Sequence, residues 1–390
     1  MIRRLRKLAA GALALFALAS VTGPGQAQTA TPADTQGAGG GGAVFAMTNV
    51  TAGNRIVAYR RAAGGALTRV DSVPTRGNGI GVDLDTTGSL VLSGDRRFLY
   101  AVNAGSDDVT VFAVNGTNLS FLQKVDAGDQ PNSLTLHRDL LYVLNGSVAG
   151  NGIRGFRVAA DGRLTPLPNS FRLLSSPIAV PGQVQFSPDG RVLLVTHKTT
   201  NVLLRPQNAI DAFTVGSDGR ASATPRRNAS HGLRPFSLAF REDGRLVVVE
   251  AFNAAPGKSA VSSYRLSPGG RLSVVSGSVD NGQTDACWVV VTKDGRHAYT
   301  SNFGSGTISS YRFGAGGELR LLDGRTAFTG ALSQPVDLAL SADGRFLYLL
   351  LRGTGGVAAF RINDDGSLRS LGTEVGGLPV ADGASGLAAF

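Results

Sequence analysis

The chain has 390 residues, a formal net charge of +10, 53 glycines and one cysteine. A single cysteine excludes an intrachain disulfide, so a protein of this size must be held together by packing and strand pairing. The arginines are scattered, many of them directly after Asp-Gly turns, and no basic stripe is interleaved with aromatic residues. This distribution argues against a nucleic-acid-binding protein.

The N-terminal segment predicts export. Basic residues crowd the first seven positions, an apolar run extends from Leu8 to Val21, and small residues follow at Gly25 and Ala27. This pattern indicates a secretory signal peptide over residues 1–27. The run is shorter than the roughly 20 residues that a spanning helix needs, and no later stretch reaches that length. We expect a secreted or periplasmic protein without a membrane span, whose mature chain begins near Gln28.

Residues 28–42 (QTATPADTQGAGGGG) contain little that can be buried, and they predict a disordered, glycine-rich tether. The remainder, residues 43–390, repeats one strand pattern from end to end, which favours a single closed domain over two or three. Val, Leu, Phe and Tyr dominate its apolar runs, and no long segment keeps apolar residues at helical spacing. The sequence therefore predicts an all-β domain with almost no helix.

The repeat is clearest between Ala286 and Phe313. An apolar run, an Asp294-Gly295 turn, a second strand, a break at Asn302 and an alternating third strand follow in order. This is the pattern of a β-meander. The same phrase recurs from Pro235 to Leu266 and from Pro335 to Ile362.

Counting the first strands of the repeat gives the architecture. Seven inner-strand phrases occur, namely Ser89 to Leu92, Pro131 to Leu136, Pro181 to Phe186, Pro235 to Phe240, Ala286 to Val291, Pro335 to Leu340 and Gly386 to Phe390. The last has no hairpin after it, whereas Gly42 to Asn49 has the pattern of a second strand with no inner strand before it. Pairing the two removes exposed sheet edges. The sequence predicts a seven-bladed β-propeller of four-stranded blades, closed by pairing of its C-terminal and N-terminal strands.

The SPDGR-type hairpins, the phrase FLYAVN (Phe98 to Asn103) and the alternating YRF or FRI strands resemble those of the lactonase-type seven-bladed propellers. This group contains propeller-type 6-phosphogluconolactonase and carboxymuconate lactonising enzyme, and the resemblance covers residues 43–390. It implies hydrolysis or formation of a lactone. Active members carry histidine near the start of some inner strands, but the equivalent positions here are Ser133, Gln183, Ser237, Trp288 and Asp337. The usual catalytic histidine is missing.

In such a propeller, the starts of first strands and the ends of second strands lie on one face, around the mouth of the central channel. Several polar residues end second strands or follow them closely, and we expect them to form a ring at this mouth: Asn49, Asn103, Asn145, His197, Lys198, Glu250, Asn253, Asn302 and Arg352. Convergent polar groups in a pocket are the default location of a binding site. The alternative interpretation is that the asparagines bond their own turns and only shape loops.

The candidate catalytic residues are Glu250, His197 and Arg234. Glu250 follows the apolar run Val247 to Val249, where an unpaired carboxylate would be costly, so we expect it to pair with a nearby cation, Arg234, Lys198 or Arg352. It also resembles a glutamate that family members carry after a second strand. As an enzyme, the protein would use Glu250 or His197 as general acid or base, with Arg234 or Arg352 holding the substrate carboxylate. The substrate-binding candidates are Lys198, Asn253, Asn302, Arg352, Asn103 and Asn145.

Two functions remain open. The first is an exported lactonase or lactonising enzyme, favoured by Glu250 and the polar ring. The second is a non-catalytic cell-envelope propeller that binds a protein partner or a small ligand, favoured by the missing histidines. The sequence has no nucleophile elbow, no histidine pair at metal spacing and no C-x-x-C, so we expect no metal and no cofactor. We expect a monomer that acts on a small lactone or carboxylate.

Overall fold

The computed structural model describes residues 41–147, 150–198, 208–380 and 383–390. Within these residues the chain forms strands β1 to β29 and one 3-10 helix, Phe252–Ala254, with no α-helix. The predicted all-β fold is confirmed. The predicted signal peptide, residues 1–27, and all of the predicted tether except its last two residues lie outside the described residues, so both stay predictions.

The strands, in chain order, are β1 (Gly42–Met47), β2 (Arg55–Arg61), β3 (Leu67–Pro74), β4 (Leu90–Leu92), β5 (Phe98–Asn103), β6 (Asp108–Asn115), β7 (Asn118–Asp126), β8 (Pro131–His137), β9 (Leu140–Asn145), β10 (Gly152–Val158), β11 (Leu164–Pro166), β12 (Arg172–Leu173), β13 (Pro181–Phe186), β14 (Val192–His197), β15 (Ala209–Thr214), β16 (Arg226–Ala229), β17 (Pro235–Phe240), β18 (Arg245–Glu250), β19 (Ala260–Leu266), β20 (Leu272–Asp280), β21 (Ala286–Val291), β22 (His297–Asn302), β23 (Thr307–Phe313), β24 (Leu319–Phe328), β25 (Pro335–Leu340), β26 (Phe346–Leu351), β27 (Gly356–Ile362), β28 (Leu368–Val375) and β29 (Leu387–Ala389).

These strands form seven antiparallel sheets, the blades of a propeller. Blade 1 consists of β29 and β1 to β3, blade 2 of β4 to β7, blade 3 of β8 to β12, blade 4 of β13 to β16, blade 5 of β17 to β20, blade 6 of β21 to β24 and blade 7 of β25 to β28. The outer strand of blade 3 is divided into β11 and β12, which pair with different parts of β10. The seven inner strands contact one another in a closed ring. The predicted seven-bladed propeller is confirmed.

Blade 1 joins the two ends of the described chain. Strand β29 pairs with β1 in antiparallel register, with Val44 opposite Ala389. The backbone N–H of Phe390 donates to the carbonyl of Ala43 over 3.0 Å, and Arg61 Nε donates to the carbonyl of Phe390 over 3.0 Å. The closure predicted from the sequence is therefore confirmed, and it leaves β1 paired on both sides.

The first hairpin of most blades is stabilised by a repeated hydrogen-bonded turn. In blade 6, Thr292 Oγ1 donates to Asp294 Oδ1 over 2.6 Å, and the backbone N–H of Arg296 donates to the same oxygen over 3.0 Å. Burial opposes ionisation, but these bonds and the Arg296 guanidinium outweigh it and lower the pKa of Asp294 to about 2. Asp343 makes the same contacts in blade 7, and its pKa is likewise lowered to about 2.

Second-strand tyrosines bind four of the blades to the next blade. Tyr348 Oη in blade 7 donates to the carbonyl of Gly65 in blade 1 over 3.0 Å, across the closing interface. Gly65 has a φ of 92°, and a Cβ there would lie 2.3 Å from the ring of Phe346, so only glycine fits. Equivalent bonds run from Tyr100 to Gly162, from Tyr142 to Gly219 and from Tyr299 to Gly366.

The apolar core lies between the blades. Phe236 on β17 packs against Trp288 on β21, with ring centroids 5.0 Å apart, and both side chains are buried. The free thiol of Cys287 is buried beside them. No helix in the part of the chain that the structure describes has the length and apolarity needed to cross a membrane.

Candidate functional site

His197 and Glu250, which end the second strands of blades 4 and 5, form cross-links inside their own blades. His197 is paired in register with Ala209, and its side chain bonds Asp211, two residues further along the third strand. Glu250 is paired with Ala260 and bonds Ser262, again two residues further along. Side chains two apart on a strand share a face, so each of these links repeats one geometric position in its blade.

His197 and Asp211 form a fully buried pair in blade 4. His197 Nε2 lies 3.0 Å from Asp211 Oδ2, and both side chains have zero exposure. Asp211 also accepts hydrogen bonds from the backbone N–H and the hydroxyl of Ser175, each over 2.7 Å. Burial opposes ionisation of Asp211, but the His197 and Ser175 bonds outweigh it and hold its pKa below the ordinary value. The pair connects two strands and the loop that precedes β13.

Glu250 is enclosed by hydrogen-bond donors and not by cations. Oε1 accepts from the backbone N–H of Gly232 over 2.7 Å and from Ser262 Oγ over 2.6 Å. Oε2 accepts from Ser278 Oγ over 2.6 Å. The sequence-based expectation that Glu250 pairs with Arg234, Lys198 or Arg352 is wrong for the described residues, because those cations pair with aspartates and not with Glu250.

The asparagines divide into three groups. Asn302 Nδ2 donates to Thr307 Oγ1 and Ser309 Oγ, each over 2.9 Å, and Asn103 Nδ2 makes the equivalent bond to Thr110 Oγ1 over 2.9 Å. Both side chains are buried and link the second strand of their blade to the third. Asn145 is also buried, but its Oδ1 has no hydrogen-bond partner among the described residues. Asn253 lies exposed in the 3-10 helix.

The side chains that meet at the channel mouth come from neighbouring positions. Lys198 follows β14 and Arg352 follows β26, each directly after the last residue of its second strand. Arg234 and Asp285 directly precede β17 and β21, and both have left-handed backbone, with φ of 55°. Gln334, before β25, has a φ of 47° and accepts a hydrogen bond from Arg352 Nε over 3.2 Å. The repeat therefore brings Arg234, Lys198 and Arg352 together, whereas His197 and Glu250 stay within their blades.

A loop between blades 1 and 2 crosses this mouth. Its central part, residues 82–88, is called the channel loop below. Trp288 Nε1 in blade 6 donates to the carbonyl of Thr86 over 2.9 Å, and Thr86 Oγ1 donates to the carbonyl of Asn132 in blade 3 over 2.9 Å. The backbone N–H of Thr87 donates to the carbonyl of Gly182 in blade 4 over 3.1 Å.

The channel loop places two carboxylates against the three cations. Asp83 pairs with Arg352, and Asp85 pairs with Lys198. Arg234 lies 3.5 Å from Asp85 and 3.3 Å from Asp285. Three carboxylates thus face three cations in a partly enclosed space, in which Lys198 is only 2% exposed.

Enclosure changes the acidity of two of these carboxyl groups. Burial raises the pKa of Asp285, and the Arg234 guanidinium opposes this rise without cancelling it. Burial, helped by the negative charge of Asp85, also raises the pKa of Asp83 against the opposing charge of Arg352. Carboxyl groups whose pKa values are raised by burial beside specific charge partners are candidates for proton transfer.

Aromatic rings line the site below the charges. Lys198 Nζ lies 5.0 Å from the ring centroid of Phe236, which packs on Trp288. The Arg352 guanidinium lies 4.7 Å from the ring centroid of Phe303. Cations over aromatic faces are held electrostatically, so these rings fix the positions of the charged groups.

The positions where relatives carry histidine are used for structure. Ser133 Oγ donates to the carbonyl of Thr87 over 2.6 Å, and Gln183 Oε1 accepts from the backbone N–H of Leu238 over 2.7 Å. Asp337 Oδ2 accepts from the backbone N–H of Gly386 over 2.8 Å, next to the closing strand. Burial raises the pKa of Asp337 to about 7.

We expect Asp337→Asn to stabilise the protein at pH 8 but not at pH 4. The folded pKa is raised, so the free energy of unfolding falls as the pH rises from the unfolded value near 3.8 through about 7. Asparagine keeps an acceptor for Gly386 and removes this loss, which is worth up to about 4 kcal/mol at about 1.4 kcal/mol per unit. Urea unfolding at pH 4 and pH 8 measures the change in the free energy of unfolding.

The control is Asp343→Asn, which removes a carboxyl group whose pKa is lowered, so this variant should be less stable than the parent at pH 8. An equal effect of Asp337→Asn at both pH values would contradict the prediction.

Sequence reasoning missed Asp83, Asp85 and Asp285. One signal was present: residues 75–89 connect β3 to β4, whereas residues 127–130 make the equivalent connection from β7 to β8. Connections of that greater length without secondary structure are uncommon and are usually functional. No group of three metal-ligating residues is found among the described residues.

The comparisons with known proteins agree with the propeller fold. The sequence model of the family described as "Lactonase, 7-bladed beta-propeller" matches residues 48–180. The resemblance to the lactonase-type seven-bladed propellers is confirmed. The comparison with curated proteins gave no match.

Solved structures of lactonase-type propellers share the fold over most of the chain. A putative 6-phosphogluconolactonase from Bacteroides fragilis is 19% identical with a TM-score of 0.67, covering 92% of this chain and 99% of that one. A second, from Bacteroides uniformis, is 17% identical with a TM-score of 0.68, covering 88% and 98%. A periplasmic gluconolactonase from Pseudomonas aeruginosa is 18% identical with a TM-score of 0.62, also covering 88% and 98%. At these identities the likeness establishes the fold alone.

Proposed function

We propose that this protein is an exported lactonase that opens the ring of a small lactone at the channel mouth. The observation that supports this most is the convergence of Arg234, Lys198 and Arg352 on Asp285 and the channel loop, above the aromatic rings. A lactone carries a polar ester on an apolar ring, and this site offers cations, a carboxyl group with a raised pKa and an aromatic wall. The lactonase-type fold supports the same reaction class.

In the proposed mechanism, Asp285 acts as the general base and Arg234 stabilises charge. The Asp285 carboxylate takes a proton from a water molecule, whose oxygen attacks the lactone carbonyl carbon. The carbonyl oxygen becomes negative and is stabilised by Arg234, 3.3 Å from Asp285. The ring C–O bond then breaks, and the departing alkoxide receives the proton from Asp285. The sum is lactone plus water giving a hydroxy acid.

Lys198 and Arg352 would hold an anionic group of the substrate. His197 directly precedes Lys198 in the chain, and its buried bond to Asp211 fixes the end of β14. Glu250 bonds the backbone of Gly232, two residues before Arg234. We therefore propose that His197 is a positioning residue for Lys198 and Glu250 a positioning residue for Arg234, in place of the acid–base role considered from the sequence.

The N-terminal sequence supports the export part of the proposal. Its basic cluster, apolar run and small residues have the pattern of a signal peptide. The similar gluconolactonase from Pseudomonas aeruginosa is described as periplasmic. N-terminal sequencing of protein from the native host tests this directly, and retention of Met1 would contradict it.

Lactone hydrolysis by the mature protein, followed in a pH-stat with δ-valerolactone, gluconolactone and an acid-bearing lactone, tests the function. We expect Asp285→Asn to lower kcat by about 10²- to 10⁴-fold, because an amide cannot take a proton. The matched control is Asp218→Asn, which removes a carboxylate bonded to Arg220 at an exposed outer turn and should leave kcat unchanged. If Asp285→Asn keeps the kcat of the parent, Asp285 is not the general base.

The alternative is a non-catalytic propeller that binds a small ligand or a protein partner. Two observations favour it: the family's histidine positions hold other residues, and all three mouth cations are already paired with carboxylates of the chain. A folded protein that hydrolyses none of the three lactones would overturn the lactonase proposal in favour of this alternative.

A further inference from the structure

The channel loop contacts more blades than a connection between blades 1 and 2 requires. Asp83 reaches blade 7, Asp85 reaches blades 4 and 5, and Thr86 contacts blades 3 and 6. Five blades that the loop does not connect therefore hold it at the mouth. It occupies the space in which a ligand of Lys198, Arg234 and Arg352 would lie.

The contacts of the loop are those of an acidic ligand. Asp83 and Asp85 are two residues apart, and the backbone N–H of Asp85 donates to Asp83 Oδ1 over 2.8 Å, which fixes the two carboxylates relative to each other. One carboxylate binds Arg352, and the other binds Lys198 and approaches Arg234. The site therefore has two anion positions.

The backbone at this site is held in an unfavourable conformation. Asp85 has a φ of 52°, and Arg234 and Asp285 each have a φ of 55°, in the left-handed region that costs non-glycine residues free energy. Arg234 and Asp285 share this backbone with Gln130 and Gln334 at the equivalent positions of other blades, so it belongs to the repeat, whereas the strain at Asp85 belongs to the loop. Relief of the strain at Asp85 favours exchange of the loop for a ligand that satisfies the same cations.

Buried polar atoms at the mouth are incompletely satisfied by the loop. Arg234 Nε and Ser237 Oγ have no hydrogen-bond partner among the described residues, although Ser237 is fully buried. Thr87 Oγ1, on the channel loop itself, is likewise without a partner in the described part of the chain. Buried polar groups without partners are costly, so the loop fills the site less completely than a ligand with further polar groups could.

We infer that the channel loop holds the place of a small dicarboxylate, and that such a ligand binds Lys198, Arg234 and Arg352 by displacing Asp83 and Asp85. The inference rests on the proposed ligand position at the channel mouth and not on turnover. The loop carboxylates then compete with the ligand for the same three cations. The apparent affinity of the parent is then the intrinsic affinity multiplied by the fraction of molecules whose loop is displaced.

Glutarate binding, measured by isothermal titration calorimetry at constant ionic strength, tests the competition. The double variant Asp83→Asn, Asp85→Asn loses the competing charges, so we expect it to bind glutarate at least about tenfold more tightly than the parent. Its melting temperature should be lower, because three enclosed cations lose counter-charges, and glutarate should raise it more than it raises that of the parent. Butyrate, with one carboxylate, should bind more weakly than glutarate to both proteins.

The matched control is Asp161→Asn, Asp218→Asn, which removes the same charge from exposed outer turns and should bind glutarate as the parent does. Equal glutarate affinity in the parent and the double loop variant would overturn the inference, and so would the absence of binding to a folded double variant.

Hydrogen exchange on the parent gives a second measurement that does not depend on any variant folding. Saturating glutarate should increase exchange at the backbone N–H groups of Asp85 and Thr87, which are bonded to Asp83 and Gly182 when the loop is in place. Increased protection at these groups would show a ligand bound over the loop and would overturn displacement. A protein that binds glutarate in this way but hydrolyses no lactone would overturn only the proposed enzyme.

Discussion

Removal of residues 386–390 is expected to abolish the closed ring and to lower the free energy of unfolding by on the order of 4 kcal/mol. Burial of Leu387, which is 7% exposed, contributes about 2 kcal/mol. The hydrogen bonds from Met47 to Gly386 and from Phe390 to Ala43 add about 1 kcal/mol each. The unpaired edge of β1 would then be free to associate with other chains. Thermal unfolding and light scattering measure both effects.

A rearranged chain provides the control for this truncation. Residues 386–390 are placed before Gly42 through the turn sequence SADGR, which joins β25 to β26 in blade 7. Because β29 pairs with β1 in antiparallel register, this order rebuilds blade 1 as the other blades are built. The rearranged chain should recover most of the parental melting temperature. A truncated protein with the melting temperature of the parent would show that the closing strand contributes nothing to stability.

Replacement of Glu250 is expected to separate the effect of its charge from the effect of its hydrogen bonds. Glu250→Leu removes both acceptor oxygens and leaves three donors without their partner inside blade 5, at a cost of about 3–5 kcal/mol. Glu250→Gln keeps Oε1 for Gly232 and Ser262. Its amide N–H can donate to Ser278 Oγ, which lies 2.8 Å from His231 Nδ1 and can bond there instead. The glutamine variant should therefore lose only about 1 kcal/mol.

Urea unfolding of the two variants beside the parent measures this difference. A general acid or base at Glu250, as considered from the sequence, would make Glu250→Gln inactive. The buried carboxylate lies within its blade, so we now expect the glutamine variant to keep turnover wherever the parent shows it. Equal stability of Glu250→Leu and the parent would contradict the structural role, and a folded but inactive Glu250→Gln would restore the catalytic one.

The propeller could be predicted because its information is local and repeated. Six inner strands, such as Pro335–Leu340, are followed by a tight turn and a second strand, and the turn is Asp-Gly in blades 4 to 7. With the unpaired strand phrases at the two chain ends, these copies fix both the number of blades and the closure of blade 1. The cations at the mouth could be predicted for the same reason. Lys198, Arg234 and Arg352 occupy positions adjacent to strand ends, and the repeat places those positions on one face.

The partners of these side chains could not be predicted from the repeat. Asp83 and Asp85 lie in a long connection whose path across the channel depends on contacts with five blades that follow later in the chain. The bond from Glu250 to Ser262 depends on the register of β18 against β19, where a shift of one residue would turn the serine to the other face. Cationic partners for Glu250 were inferred from charge alone, whereas hydroxyl and backbone donors satisfy it in the fold.

The left-handed residues ahead of the inner strands have a consequence for how this surface can change. Gln130, Arg234, Asp285 and Gln334 stand at equivalent places in blades 3, 5, 6 and 7, with φ between 47° and 55°. Each presents its side chain from outside the sheet, so its chemistry is uncoupled from the packing between blades. Evolution or a protein engineer could therefore exchange Gln130 or Gln334, which have no role in the proposed reaction, for asparagine or glycine at little backbone cost, and alter the chemistry of the mouth while the propeller body stays the same.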